Sequence, residues 1–337
     1  MALKTERASS KKIIFWLFLI VFIWLAITRL DETGHTLTIL ASGRWYWIVP
    51  ALICQVALFP FCSRYIDYVF RIFNIKLGWR KIFPVYVASK FTNVALPVAT
   101  FGTVGIFLRN SRKQQVSTLN TGIGISLVMF FDVAAFVVVA LASLGILSLF
   151  GQTITYLNIT LLILITIVLL AGFFIWKLLK ERTPPNKFVL WIIKRIAKLG
   201  GYKNVQISEI EAIFAEVGAD VVKKSHEIWS SLWLAIAVHL INMLTLGLIF
   251  LAFSGHLNIL AVLAAYTAGI LYTIVSITPQ GVGVVETVMI ATIHSFGFDL
   301  STAAVITLVF RSILYWLPVF PGFYAFSRLE LKPEQLV

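Results

Sequence analysis

Residues 258–298 read NILAVLAAYTAGILYTIVSITPQGVGVVETVMIATIHSFGF. The run is apolar enough for lipid, yet it is interrupted at Thr278-Pro279-Gln280-Gly281-Val282-Gly283. Proline removes a backbone N–H and glycine loosens the chain, so the interruption exposes peptide groups that hydrocarbon cannot satisfy. The break must face protein or a polar cavity. Two apolar arms joined in this way predict a helical hairpin.

Outward from this hairpin the rest of the chain is equally suited to a bilayer. Of its 337 residues, 59% are hydrophobic and 13% charged, against roughly 45–50% and about 25% in soluble domains. Several runs approach the roughly 20 helical residues that span about 30 Å of hydrocarbon. This composition excludes an ordinary water-soluble enzyme, and runs that are continuous rather than alternating argue against a β-barrel. The fold class is therefore an all-α polytopic membrane protein.

Charge sets the expected topology. The formal net charge is +13, and nearly all of it sits between the apolar runs. Residues 1–12 carry +3, residues 63–81 carry +4, Arg109, Arg112 and Lys113 carry +3, and residues 177–230 carry +4. The connection around Arg29, Asp31, Glu32 and Arg44 is neutral. By the positive-inside rule, the four basic segments are cytoplasmic. Topology signalling and attraction to anionic head groups account for the basicity, so no nucleic-acid partner is expected. The run from Ile13 to Ile27 has a basic lead but no convincing small-residue cleavage site, and it reads as an uncleaved first span.

With these segments fixed, about six full spans are expected, at 13–29, 44–63, 119–142, 157–179, 229–253 and 302–326. Both termini then lie in the cytoplasm, and the chain is multi-pass in the cell (inner) membrane. Two stretches must each begin and end on one side. The first, 82–108, is punctuated by Pro84, Lys90, Pro97, Gly102 and Gly105 and dips in from the cytoplasm; the second is the 258–298 hairpin, dipping in from outside. These re-entrant hairpins bring the total to about eight hydrophobic segments.

The two halves also resemble one another. Trp45, Pro97 and Asp132 are separated by 52 and 35 residues, and Trp229, Pro279 and Arg311 by 50 and 32. Because the equivalent spans run in opposite directions, the pattern is that of an inverted-topology repeat, as in transporters with sites near the midplane. Within a single membrane domain over 1–337, residues 44–149 form the first repeat and 229–326 the second. Residues 180–228 form a cytoplasmic linker. In it, Ile207, Ile210, Phe214, Val217 and Val221 recur at helical spacing, predicting an amphipathic helix over 205–226 that packs on the bundle or the inner leaflet.

Asp132, Glu286 and Arg311 fall inside apolar stretches, where each charge costs at least about 2.5–3.5 kcal/mol unless paired or hydrated. One reading is a buried ion pair of Arg311 with Asp132 or with Glu286, locking the halves together. The other is a hydrated groove for a charged head group, and a pair that gates the groove satisfies both. Lys90 either snorkels to the interface or faces the groove. Glu286 opens a short helix after the break, where its carboxylate either caps that helix or binds a cationic substrate. His35, His226, His239, His256 and His294 lack metal-ligand spacing, as do Cys54 and Cys62. No phosphate-binding loop, nucleophile elbow or dinucleotide fingerprint is present, so neither metal nor cofactor is expected and ATP-driven transport is set aside. The sequon Asn158-Ile159-Thr160 would lie almost at the membrane surface and carries little weight.

The run Thr278 to Glu286, followed by Phe310-Arg311-Ser312-Ile313-Leu314-Tyr315-Trp316-Leu317-Pro318, resembles the transmembrane region of lysylphosphatidylglycerol synthases and its stand-alone, flippase-like relatives. The usual form is close to T-P-G-G-x-G-x-x-E, with an arginine and Y-W-x-P in the last span. Thr278, Pro279, Gly281, Gly283 and Glu286 match, while Gln280 replaces a common glycine. Asn93-Val94-Ala95-Leu96-Pro97 resembles the first-half N-x-x-x-P element, with the glycines that follow it reduced to Gly102 and Gly105. The resemblance implies movement of phospholipids between leaflets through a cavity between two inverted subdomains. The soluble domain that transfers lysine in full-length members is expected to be absent, so no enzymatic activity is carried over.

The expected function is thus that of a lipid flippase or scramblase. Its cargo would be an anionic or aminoacylated phospholipid, or a polyprenyl- or hopanoid-type lipid. Arg311, Glu286, Asp132 and Lys90 are the candidates for head-group binding or gating. Asn93, Pro97, Gly102, Gly105, Thr278, Pro279, Gly281 and Gly283 are the candidates for helix breaks lining the cavity. The alternatives are a non-transporting partner of a separate lipid synthase or glycosyltransferase, and a membrane-embedded lipid-modifying enzyme. A homo-oligomer is left open.

Overall fold

A computed structural model describes residues 33–95, 99–152, 155–181, 224–276 and 278–329. Among these residues the chain is helical and contains no strand. The first half comprises α1 (Thr33–Ser42), a short 3-10 turn (Trp45–Trp47), α2 (Ile48–Ile72), α3 (Trp79–Ala95), α4 (Ala99–Lys113), α5 (Thr118–Leu149) and α6 (Thr155–Glu181). The second comprises α7 (Ser225–Phe253), α8 (Ile259–Val275), a 3-10 turn (Pro279–Gly281), α9 (Val284–Ser295) and α10 (Leu300–Arg328).

Four of the expected spans are present as helices long and apolar enough to cross a membrane: Trp45–Ile72, Thr118–Leu149, Ser225–Phe253 and Leu300–Arg328. The span expected at 157–179 lies in α6, whose described apolar core is the shorter Leu157–Phe173. The first expected span, 13–29, lies outside the described residues, as does nearly all of the expected amphipathic helix. Large apolar side chains such as Ile53, Leu162, Leu169 and Phe320 face outward. In water such a surface would be a liability; in lipid it matches its solvent.

Helix ends follow local chemistry more than hydropathy. α2 was expected to stop at residue 63, yet it continues to Ile72 through Arg64, Asp67 and Arg71. Arg71 donates to Asp67 Oδ2 at 2.6 Å, one turn away, while Asp67 Oδ1 accepts the Gly78 N–H at 3.1 Å beyond the helix end. Asn74 adopts φ 57 and Ile75 N–H reaches back to the Phe70 carbonyl at 3.0 Å, a left-handed stop of Schellman type. Ser117, Asn258 and Asp299 open α5, α8 and α10 by accepting the backbone N–H three residues on.

The ends of the helices sort onto two sides. Lys224, just before α7, donates to the Ile72 carbonyl at 2.6 Å and to Asn74 Oδ1 at 2.9 Å. Lys113, at the end of α4, donates to the Leu329 carbonyl at 2.8 Å. Far from these, Arg44 N–H donates to the Ala252 carbonyl at 2.7 Å, and Phe298 packs against Phe250 and His256. Thus α2 and α7 run antiparallel, and α5 leaves the basic end that α10 approaches. α3 and α4 form a hairpin based at the basic end; α8 and α9 form one based at the opposite end.

α2 packs along α7, α3 along α10, and α8 against α5. Two large hydrophobic cores result, each drawing on both halves of the chain: one centred on Phe250, Tyr266, Val285 and Phe310, the other on Phe70, Ile82, Ile106 and Phe326. The α3–α10 contact is close because of Gly322. A Cβ there would lie 2.9 Å from the Val87 carbonyl oxygen and 2.7 Å from Phe91 Cβ.

Candidate functional site

The break between α8 and α9 is built by its own short polar side chains. Ser276 Oγ lies 2.8 Å from Thr278 Oγ1 and accepts the Thr278 N–H at 3.2 Å, and the Thr278 carbonyl accepts the Gly281 N–H at 2.9 Å. Gln280, Gly281 and Gly283 all take positive φ, at 56, 69 and 86. Two of these three positions hold glycine, which pays no Cβ penalty there. Gln280 carries a side chain there, and its backbone keeps the left-handed conformation all the same. Gly281 has a second constraint, since a Cβ would sit 2.3 Å from Val285 Cγ2.

That conformation directs the Gln280 carbonyl toward α10. Arg311 Nη2 donates to it at 2.7 Å, and the Tyr315 hydroxyl lies 3.3 Å from the same oxygen. Arg311 Nε donates to Glu286 Oε1 at 2.7 Å, its Nη1 donates to the Tyr315 hydroxyl, and the guanidinium carbon lies 4.3 Å from the Tyr315 ring centroid. Glu286 uses its second oxygen to accept the Gly283 N–H at 2.7 Å. Glu286 thus caps α9, as one reading of the sequence has it, and also pairs with Arg311. Of the two partners open to Arg311, Glu286 is the one it takes. With Arg311 eleven residues into α10, the hairpin tip reaches about 17 Å from the start of that helix, at a rise of about 1.5 Å per residue.

Asp132 stands elsewhere. It is on α5, its side chain is 53% exposed, and its Oδ1 lies 3.7 Å from Nε2 of the buried His239 on α7. Lys90 on α3 places its ammonium 5.0 Å from the Tyr86 ring centroid.

The helices of the first hairpin end at Ala95 and begin at Ala99, on either side of the expected Pro97, but not every residue named for that break lies at it. Pro97 lies outside the described residues, whereas Asn93 is within α3 and Gly102 and Gly105 are within α4. Pro84 is also helical. Glycine costs a helix only about 1 kcal/mol, and in lipid every abandoned backbone hydrogen bond costs several times more. The helix therefore runs through both glycines. Asn93 Oδ1 accepts from Thr103 Oγ1 at 2.6 Å and ties the two arms together.

Several members of the polar interior escaped the sequence reading. Gln55 Nε2 on α2 donates to Asn242 Oδ1 at 2.9 Å and to Thr245 Oγ1 at 3.0 Å on α7. His239 Nδ1 lies 2.7 Å from the Tyr266 hydroxyl on α8. The available signal was amide and imidazole side chains within apolar spans; inspecting histidines only for metal spacing passed over it. No group of three or more His, Cys, Asp or Glu side chains able to hold a metal occurs among the described residues.

Antiparallel apolar helices, an outward apolar surface and a polar interior at mid-helix depth define a multi-pass helical membrane protein. The chain belongs to the family described as the lysylphosphatidylglycerol synthase TM region, which matches residues 12–322. It is similar to a UPF0104 membrane protein of Methanocaldococcus jannaschii, with 25% identity over 340 residues covering 99% of this chain and 98% of the relative. A UPF0104 membrane protein of Pyrococcus horikoshii is 27% identical over 153 residues, 45% of this chain and 42% of that one. No solved structure matches the chain.

Proposed function

We propose that this protein moves a polar lipid between the leaflets of the cell membrane, with the head group passing the mid-depth polar residues while the tails stay in the bilayer. The observation that carries this reading is an exposed carboxylate, Asp132, on an otherwise uncharged 32-residue helix. A charge kept in that position without a saturating partner needs a hydrated path or a charged ligand.

Two further features support it. The element order helix, hairpin, helix occurs twice, with α2 opposed to α7 and α5 opposed to α10 in direction, which suits an inverted repeat with two re-entrant hairpins. The Glu286–Arg311 pair fastens the tip of the second hairpin to α10, which suits a gate. In this reading the basic end, with Arg71, Arg80, Lys81, Lys113 and Lys224, faces the cytoplasm. Head-group charge, not covalent chemistry, is the business of the site, and we assign the chain no catalytic step. The cargo is a phospholipid or another lipid with a charged head group.

The test is leaflet exchange of labelled phosphatidylglycerol, phosphatidylethanolamine and a polyprenyl phosphate in vesicles containing the purified full chain. Head-group-selective exchange, lost in Asp132→Asn and in Arg311→Ala, is expected. Absence of exchange for every lipid, from protein shown to be folded, would refute the reading.

A further inference from the structure

Between residues 63 and 81 the chain carries five cations, Arg64, Arg71, Lys76, Arg80 and Lys81, against one carboxylate, Asp67. That carboxylate is committed, to Arg71 through Oδ2 and to the Gly78 N–H through Oδ1. Arg64, Lys76, Arg80 and Lys81 are exposed and meet no carboxylate among the described residues. Two of them are nevertheless held in place. The Arg64 guanidinium carbon on α2 lies 5.1 Å from the ring centroid of Trp79 at the start of α3, and that of Arg80 lies 5.6 Å from the same ring. The indole attracts each guanidinium while the two cations repel one another, and an anion shared between them removes that conflict.

The arginines sit where two apolar faces end. Ile53, Phe61 and Arg64 share one exposed stripe of α2, and Phe61 precedes Arg64 by about one turn toward the middle of the bundle. On α3, which runs inward from the basic end, the exposed Phe83 follows Trp79 by about one turn in the same sense. Arg64 stands eight residues before the end of α2, about 12 Å along its axis. Its side chain reaches Trp79 in the first turn of α3, and so extends toward the head-group layer, where tryptophan is also favoured. Two guanidiniums on one indole thus lie at head-group depth, with an exposed phenylalanine below them on each helix.

We propose that the outer face of α2 and α3 at the basic end is a binding site for an anionic phospholipid, with its phosphodiester gripped by Arg64 and Arg80 and its first acyl carbons lying on Phe61 and Phe83. Each guanidinium offers a planar fork of N–H donors that matches two phosphate oxygens. The shared indole orients both forks before the lipid arrives, which lowers the ordering cost of binding. Charge selects the head group. Lys76 and Lys81 add cations from the same segment, and the spent Asp67 leaves no carboxylate for a choline or ethanolamine ammonium, so a head group with an unbalanced phosphate is preferred. A free phosphate ion would meet the same forks but leave the phenylalanines uncovered. The site is separate from Asp132 and from the Glu286–Arg311 pair, and it stands whether or not the protein transports lipid.

Two measurements on the full chain test this. The first uses wild-type protein in phosphatidylcholine vesicles containing a minor fraction of lipid brominated on its acyl chain, which quenches nearby indoles. Brominated phosphatidylglycerol should quench more than brominated phosphatidylcholine at the same fraction, and most of the excess should vanish in Trp79→Phe. Equal quenching by the two lipids, or an excess undiminished in Trp79→Phe, overturns the inference. The second is native mass spectrometry of delipidated protein in detergent with equimolar phosphatidylglycerol and phosphatidylcholine. Preference for phosphatidylglycerol should fall about fivefold in Arg64→Gln and in Arg80→Gln. It should hold in Arg328→Gln, which removes an exposed cation from the same end of the bundle but away from the site. Neither Arg64 nor Arg80 donates a hydrogen bond to another described residue, so both variants should keep the wild-type melting temperature. Equal losses in all three variants would reveal diffuse attraction to the basic end and overturn the site, as would unchanged preference in Arg64→Gln and Arg80→Gln. Displacement of the bound lipid by millimolar glycerol phosphate would assign the forks to phosphate alone and overturn the lipid assignment.

Discussion

Glu286 holds two partners with its two oxygens: Arg311 Nε at 2.7 Å through one, and the Gly283 N–H at 2.7 Å through the other. A single carboxylate thus joins the start of α9 to the middle of α10. Arg311 extends the joint by gripping the Gln280 carbonyl, so cation, cap and left-handed turn form one unit.

Breaking that unit from the cation side should be severe. Arg311→Ala leaves the Glu286 carboxylate and the Gln280 carbonyl without their donor, and loss of one partner of a buried pair costs about 3–5 kcal/mol. Arg311→Lys should recover little, because an ammonium cannot match the planar fork that meets three acceptors. Replacing both charges, as in Glu286→Gln with Arg311→Met, should cost less than Arg311→Ala alone. Thermal unfolding of the double variant and of its two single variants, Glu286→Gln and Arg311→Met, in one detergent measures the coupling, and additive losses would show that the pair acts as two independent residues.

Gln280 carries a side chain at φ 56. Relieving the left-handed conformation of a residue with a Cβ is worth about 1 kcal/mol, so Gln280→Gly should raise the melting temperature while keeping the carbonyl contact to Arg311. A fall in melting temperature would mean that the Gln280 side chain contributes more than its backbone costs.

Gly322 lets α10 approach the α3 backbone. A Cβ would lie 2.9 Å from the Val87 carbonyl oxygen and 3.0 Å from the Phe91 N. Backbone atoms cannot step aside as a flexible side chain can, so Gly322→Ala should destabilise by about 1–3 kcal/mol. Melting temperature and faster amide exchange in α3 are the readouts, and a neutral effect on both would disprove the close contact.

Asp67 is buried, yet it accepts from both Arg71 and the Gly78 N–H. Asp67→Ala should cost about 2 kcal/mol, the worth of charge-assisted hydrogen bonds at a buried site, and should loosen residues 73–78 selectively. Limited proteolysis at the Lys76 position reports the loosening. Unchanged cleavage would show that the turn is held by Asn74 and the Phe70 carbonyl instead.

Much of the bundle was legible in the amino-acid pattern because lipid imposes one rule, internal satisfaction of backbone groups, on every span. Four spans and the second hairpin appear where apolar length and the Pro279 break put them. The extension of α2 to Ile72 was not legible from hydropathy, since Arg64, Asp67 and Arg71 look like loop until the Asp67–Arg71 pair and the Asn74 stop are seen together. Counting Gly102 and Gly105 as part of the first break was an overreach for a related reason: glycines are tolerated in a helix when no proline adjoins them. Charge in apolar sequence singled out Asp132, Glu286 and Arg311, but not which of them meet. That depends on how α5, α9 and α10 face one another, and the same holds for the neutral chain from Gln55 to His239.

The tying of α2 to α7 at both ends limits how this molecule can change shape. Lys224 fastens one end to the Ile72 carbonyl, and the Arg44 N–H fastens the other to the Ala252 carbonyl. Sliding one helix past the other by a single turn, about 5.4 Å, would break both fastenings together. The two helices therefore act as an axle, and large motion is left to the parts mounted on it, the hairpins α3–α4 and α8–α9.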